Sequence, residues 1–188
     1  MTAPAPFTIV GLCGSLRRAS YNGGLLRAAQ ATAPPGTIVV IHDLAAVPFL
    51  NEDLEPDRIG PAVAALRAAI AGADALLLAS PEYNAGLTPV LKNALDWASR
   101  APDPPLTDKP TAIIGASPGI FGTARVQPQL RASLLGCGMI VMGLPELYVM
   151  QAAGKFEDGR LTDAATRERL ADLLVALAAW TRSVTPQS

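Results

Sequence analysis

Histidine is nearly missing from this chain: of 188 residues only His42 is one. With two cysteines, Cys13 and Cys137, at no metal-ligand spacing, a zinc or iron centre is excluded, and no convincing Ser/His/Asp set can be assembled. Two isolated cysteines make no disulfide framework either; each borders an apolar run and reads as a small buried hydrophobe in a reducing, cytoplasmic setting. Charge is scarce, at 16% of residues and a formal net of −1, which argues against nucleic acid or an anionic membrane as the main partner. There is no early apolar stretch resembling a signal peptide and no run long enough to span a bilayer. The familiar nucleotide loops are missing too. No Gly-x-x-x-x-Gly-Lys-Ser/Thr occurs, and Gly11 and Gly14 do not give the Gly-x-Gly-x-x-Gly spacing of a dinucleotide turn.

What is present is half hydrophobic and strongly patterned. Short apolar segments at Phe7–Cys13, Thr37–Ile41, Ala75–Ser80, Thr111–Ala116 and Met139–Met142 read as strands. Alanine- and leucine-rich stretches at about 23–32, 60–72, 88–100, 125–136 and 164–182 read as the helices between and after them. Such alternation predicts one α/β domain over 1–188, a doubly wound five-stranded parallel sheet with helices on both faces. Thr88-Pro89 marks a helix start, with Val90, Leu91, Ala94, Leu95 and Ala98 as its apolar face. Asp163 is placed to cap the last helix, whose Leu170, Leu173, Leu174, Leu177 and Trp180 face inward. Pro128 means either that helix four starts at Gln127-Pro128 or that it kinks there. The proline-rich Ala101–Pro110 return belongs at the amino edge of the sheet, away from any ligand. Met1–Pro6 reads as a loose arm, Thr185–Ser188 as a fraying tail and the acidic run Asn51 to Asp57 as a solvated loop.

In an open α/β sheet, ligands bind beyond the carboxyl ends of the strands. Three loops there carry polar or glycine-rich sequence, and a 2-1-3-4-5 strand order makes them neighbours. The first, Gly14-Ser15-Leu16-Arg17-Arg18-Ala19-Ser20-Tyr21-Asn22, joins a strand to a helix N-terminus, where unpaired N–H groups and the positive dipole end favour an anion. Ser15, Ser20 and Asn22 add short polar groups and Arg17 and Arg18 fixed charge, an inventory that suits a terminal phosphate monoester. In the second, Ser80-Pro81-Glu82-Tyr83-Asn84-Ala85-Gly86, Pro81 stiffens the start and leaves the N–H groups of Glu82, Tyr83 and Asn84 to meet the edge of a flat heterocycle. Tyr83 borders the ring and Asn84 offers a donor and an acceptor. The third runs from Ser117 to Thr123, its glycines permitting close backbone approach. A phosphate holder at one end and a hydrogen-bonding rim at the other match flavin mononucleotide (FMN).

These first two motifs, with Thr88-Pro89-Val90-Leu91-Lys92-Asn93-Ala94-Leu95-Asp96-Trp97, closely resemble the NADPH-dependent FMN reductase family, nearest to its quinone and chromate reductases. The resemblance runs from strand one through the Lys155-Phe156-Glu157-Asp158-Gly159 turn. It implies a flavodoxin-like fold, bound FMN, NADPH or NADH as hydride donor, and a homodimer or homotetramer. Carried over by position, Ser15, Arg17, Ser20 and Asn22 match the phosphate-binding residues, Pro81, Glu82, Tyr83 and Asn84 the isoalloxazine loop, and Ser117 and Gly119 the loop at the ring's other edge. Implied acceptors are small molecules: quinones, free flavin, azo compounds, nitroaromatics or metal oxyanions. A flavodoxin-type carrier or a non-catalytic FMN-binding module stands as the alternative; the near-neutral charge disfavours the carrier, which needs an acidic docking face. His42 reads as structural, Glu82 as acting through its backbone, and Lys92, Asn93 and Asp96 as capping, packing or subunit contacts. Arg125 and Glu146 are candidates to meet across an oligomer interface.

Overall fold

The computed structural model describes residues 5–54 and 59–185. The first four residues of the Met1–Pro6 arm, the last three of the Thr185–Ser188 tail and residues 55–57 of the acidic run lie outside the described residues. β1 (Phe7–Cys13), β2 (Thr37–His42), β3 (Ala75–Ala79), β4 (Pro110–Ala116) and β5 (Ile140–Val141) form a sheet in the order β2-β1-β3-β4-β5. Every pairing in it is parallel. α1 (Tyr21–Thr32), α2 (Pro61–Ala71), α3 (Pro89–Ala98), α4 (Val126–Gly136) and α5 (Ala164–Val184) complete the alternation.

Period-2 side-chain alternation divides the core into two layers. Ile9, Leu77 and Ile114 point to the face covered by α1 and α5, where Leu25, Leu26, Leu170, Leu173, Leu174 and Leu177 are buried. Val10, Leu76, Leu78 and Ile113 point the other way, against Leu66 and Ile70 of α2, Leu91 and Leu95 of α3, and Leu130 and Leu134 of α4. β3 and β4, covered on both faces, are buried at every position, which is why they read as unbroken apolar runs.

Two features depart from the expected pattern. The fifth strand position is shared: β5 pairs with Pro110 and Thr111, and a further strand, β6 (Leu147–Val149), pairs parallel with Ile114–Ala116 of the same β4. A small antiparallel hairpin of β7 (Phe156–Glu157) and β8 (Arg160–Leu161) also occupies the turn ahead of α5. Pro128 causes no kink. α4 begins at Val126 and runs unbroken to Gly136, so the proline falls in the first turn, where it is best tolerated. Thr88 stands at the α3 cap with extended backbone, yet its hydroxyl makes no cap bond and is buried without a partner. Asp163 caps α5 as expected, its carboxylate accepting from Thr166 N–H at 2.8 Å. Asn93 is a packing residue: its side chain accepts from Leu50 N–H (2.7 Å) and donates to the Pro48 carbonyl (2.8 Å).

Candidate active site

The loops after β1, β3 and β4 meet at the carboxyl edge around a cavity of about 290 Å³. Ser15, Arg17, Ser20 and Asn22 line one side, Pro81, Glu82 and Tyr83 another, and Ser117 with Pro118 the third. Tyr21 and Ala116 also line it and were not singled out from the sequence, although Tyr21 sits inside the first motif. Asn84 and Gly119 belong to the same loops but lie outside the cavity wall.

The phosphate end is built around the start of α1. Ser20 is the N-cap, buried, its hydroxyl accepting from Gly23 N–H at 3.2 Å. The preceding N–H groups, of Tyr21 and Asn22, find no protein acceptor among the described residues and face the cavity end of the helix. Ser15 Oγ accepts from Arg17 N–H at 3.4 Å and sits 3.5 Å from the Tyr83 hydroxyl, so the first and second loops touch. Arg17 is exposed, its guanidinium lying 5.2 Å over the Tyr21 ring. Asn22 behaves differently from the sequence expectation. Its amide is buried and both ends are used: Nδ2 donates to the Ala116 carbonyl and Oδ1 accepts from Ala116 N–H, each at 2.9 Å. Only its backbone N–H remains for a ligand. Cys13 is equally passive. Burial pushes its thiol pKa up, and the thiol donates to the Ser15 carbonyl at 3.4 Å.

The rim loop is partly closed on itself. Tyr83 and Gly86 exchange N–H···O=C bonds of 3.2 and 2.9 Å, so Tyr83 N–H is not free for a ring edge as the sequence had implied. The N–H groups of Glu82 and Asn84 have no protein acceptor among the described residues. Asn84 and Ala85 hold left-handed backbone, at φ 50° and 61°. The Glu82 carboxylate turns away from the cavity and binds Arg125. Arg125 therefore has a partner within the chain, as does Glu146, which pairs with Arg131 at 3.3 Å. In the third loop, Ser117 Oγ accepts from Gly119 N–H at 3.2 Å, and Gly119 O accepts from Gln151 N–H at 3.1 Å.

A larger concavity, about 890 Å³, lies at the opposite, amino end of the sheet beside Phe7, Asp74, Lys109 and Thr181. Lys109 Nζ there donates to the Ala73 carbonyl at 2.5 Å, and Asp74 accepts from Thr8 N–H at 2.6 Å. Lys109 and Asp74 are thus occupied by backbone, and Arg182, also on its wall, lies over the Phe7 ring. The carboxyl-edge cavity has the converging donors; size alone does not select the site.

A parallel 2-1-3-4-5 sheet with helices on both faces and a glycine- and serine-containing loop after its first strand defines a flavodoxin-like fold. Residues 7–154 match the family model for NADPH-dependent FMN reductase. An NAD(P)H-dependent FMN reductase of Pseudomonas aeruginosa is 44% identical over 175 residues, spanning 93% of this chain and 95% of that protein. A quinone reductase of Escherichia coli is 36% identical over 180 residues, 94% of this chain and 96% of that one. Among solved structures, a flavoenzyme NAD(P)H:(acceptor) oxidoreductase from Paracoccus denitrificans superposes with a TM-score of 0.84 at 34% identity, covering 94% of this chain and 97% of its own. The chain belongs to the NADPH-dependent FMN reductase family. FMN, with NAD(P)H as electron donor, is the cofactor that this membership supports. The residues present fit it: free helix-start N–H groups, two hydroxyls and an arginine at one end, and the free Glu82 N–H at the other. Among the described residues no helix is long and apolar enough to cross a membrane.

Proposed function

We propose that this protein is an FMN-dependent oxidoreductase that passes hydride from NADPH or NADH to a quinone or a related small acceptor. The observation that carries the reading is the convergence of the first and second loops on one cavity in a chain of this family. FMN, when bound, supplies the hydride-transfer chemistry. The protein's part is to hold and orient. Ser15 and Ser20 hydroxyls, the Tyr21 and Asn22 N–H groups and the Arg17 guanidinium bind the phosphate. Pro81 and Tyr83 would border the ring, and the free Glu82 N–H would donate to its polar edge, where negative charge develops on reduction. Ser117 and Gly119 define the other edge. No side chain of the cavity is placed as a nucleophile or general base, and hydride transfer needs none.

The mouth of the site supports a homodimer or homotetramer as part of this reading. Leu16, Tyr83, Ile120, Phe121 and Met150 are each about half exposed or more on the loops of this edge, an apolar rim that a second copy would cover. Two free, partly buried cysteines suit a cytoplasmic setting. The test is the absorption spectrum of the purified protein, followed by anaerobic NADPH addition. A flavin spectrum, FMN on release and bleaching by NADPH are expected. Uptake of FMN without bleaching would replace the reductase by a carrier or binding module, and failure to bind FMN would overturn the site.

A further inference from the structure

The Glu82 carboxylate is bound to Arg125 and Val126, neither of which lines the cavity. Only 3% of the Glu82 side chain is exposed. One carboxylate oxygen accepts from the N–H groups of Arg125 (3.0 Å) and Val126 (3.2 Å); the other accepts from Arg125 Nε at 2.6 Å. These N–H groups open α4, a helix with no cap of its own: Arg125 stands at the cap position in helical conformation (φ −85°, ψ −32°) and makes no side-chain cap bond. A carboxylate 43 residues upstream does that work. The guanidinium so held lies 4.9 Å over the ring of Phe121, in the loop after β4. One turn further on, Gln129 Nε2 donates to the Ala85 carbonyl at 2.7 Å and so makes a second tie between α4 and the rim loop.

The rim loop is a tight turn closed at its base by the Tyr83–Gly86 pair; its placement against the rest of the site comes from contacts outside the turn. Asn84 and Ala85 are consecutive non-glycine residues in the left-handed region, which each would leave if unconstrained. Glu82 ties the loop to α4 ahead of that pair, and Gln129 ties it at the Ala85 carbonyl.

We infer that Glu82 is the positioning residue of the flavin rim: by capping α4 from the loop after β3, its carboxylate anchors the loop to α4 and so fixes where the Glu82 N–H is presented to the ring. The inference rests on the FMN reading above. It assigns the carboxylate a function distinct from that of the Glu82 backbone, and places that function at the ring end of the site only.

Riboflavin, which lacks the phosphate, separates the two ends. Binding of FMN and of riboflavin to apoprotein, read by flavin fluorescence, is compared for wild type, Glu82→Ala, Glu82→Gln and Arg17→Ala. Glu82→Ala is expected to weaken both ligands by the same factor, about tenfold, the loss of one well-placed hydrogen bond. Glu82→Gln, which keeps an acceptor for the α4 N–H groups, loses less. Arg17→Ala weakens FMN and leaves riboflavin unchanged. Asp163→Ala, which removes a comparable cap from α5, controls for helix capping in general and leaves both affinities unchanged. Wild-type riboflavin affinity in folded Glu82→Ala, or a loss confined to FMN, overturns the inference. Should the alanine variant fail to fold, the glutamine variant decides: equal weakening of both ligands supports the inference and none overturns it. Failure of wild type to bind FMN would instead overturn the function proposed above.

Discussion

Removing the Asn22 amide is expected to cost far more than its size suggests. The side chain closes a two-bond clamp on the Ala116 peptide groups, 94 residues away, with both bonds at 2.9 Å. Ala116 is 2% exposed and ends β4, so water replaces the lost partners poorly. In Asn22→Ala one N–H and one C=O are left buried and unsatisfied, each at about 1–3 kcal/mol, and partial relaxation brings the sum to about 3 kcal/mol. That is a large share of the roughly 5–15 kcal/mol that stabilises a domain. With a urea slope of about 2–3 kcal/mol/M for a chain of this length, the midpoint should fall by about 1–1.5 M at unchanged slope. The same loss lowers Tm by roughly 6–12 °C. Asn22→Asp is no rescue at neutral pH: one oxygen still accepts from Ala116 N–H, but the other, now charged, faces the Ala116 carbonyl with no donor. Urea titrations of the three proteins followed by circular dichroism test this. An alanine variant within about 0.5 kcal/mol of wild type, at the same slope, would refute the clamp as a stabilising element.

Other expectations concern single residues. Arg17→Ala should weaken FMN by roughly 10–100-fold through loss of a charge-assisted contact while leaving the urea midpoint in place, because the side chain is exposed. Unchanged flavin occupancy would count against the phosphate assignment. Gly115→Ala should destabilise by about 1–3 kcal/mol, since a Cβ there lies 2.2 Å from Thr123 Oγ1 and 2.6 Å from the Ser80 carbonyl. A Tm equal to wild type would show that the β4 loop yields. Asp163→Ala should cost about 1 kcal/mol at neutral pH. The bonds from Thr166 hold the Asp163 carboxyl below its ordinary value of 3.8, so its ionised cap contributes above that pH and is lost as pH falls through the lower folded-state value. The stability gap between wild type and variant should therefore close in acid; a gap independent of pH would mean the charge is not what caps α5.

Layer structure was legible because it repeats locally. β1 has the bounds read from its apolar run, and β3 and β4 announced themselves as runs too short for helices and too continuous for a one-sided sheet. α5 was framed by Asp163 and its leucine spacing. β6, three residues long and just after Leu144-Pro145, carries too short a period to register, and the two-residue strands of the β7–β8 hairpin carry none. The candidate phosphate loop was visible for the same local reason: a strand, a glycine and serine turn and a helix start lie within one continuous stretch.

Sequence alone therefore determined the alternation of elements, the three loops at one edge and the residue types offered to an anion and a flat ring, because each depends on neighbours within a turn or a strand. Which polar groups stay available was decided only by tertiary structure. Asn22 and Glu82 look like ligand contacts in a motif, yet the first is spent on Ala116 and the second on Arg125 and Val126. Tyr83 N–H is lost to Gly86 while Glu82 N–H is not. A buried polar group takes whichever partner folding brings within 3 Å, and no pattern in the chain records which partner that is.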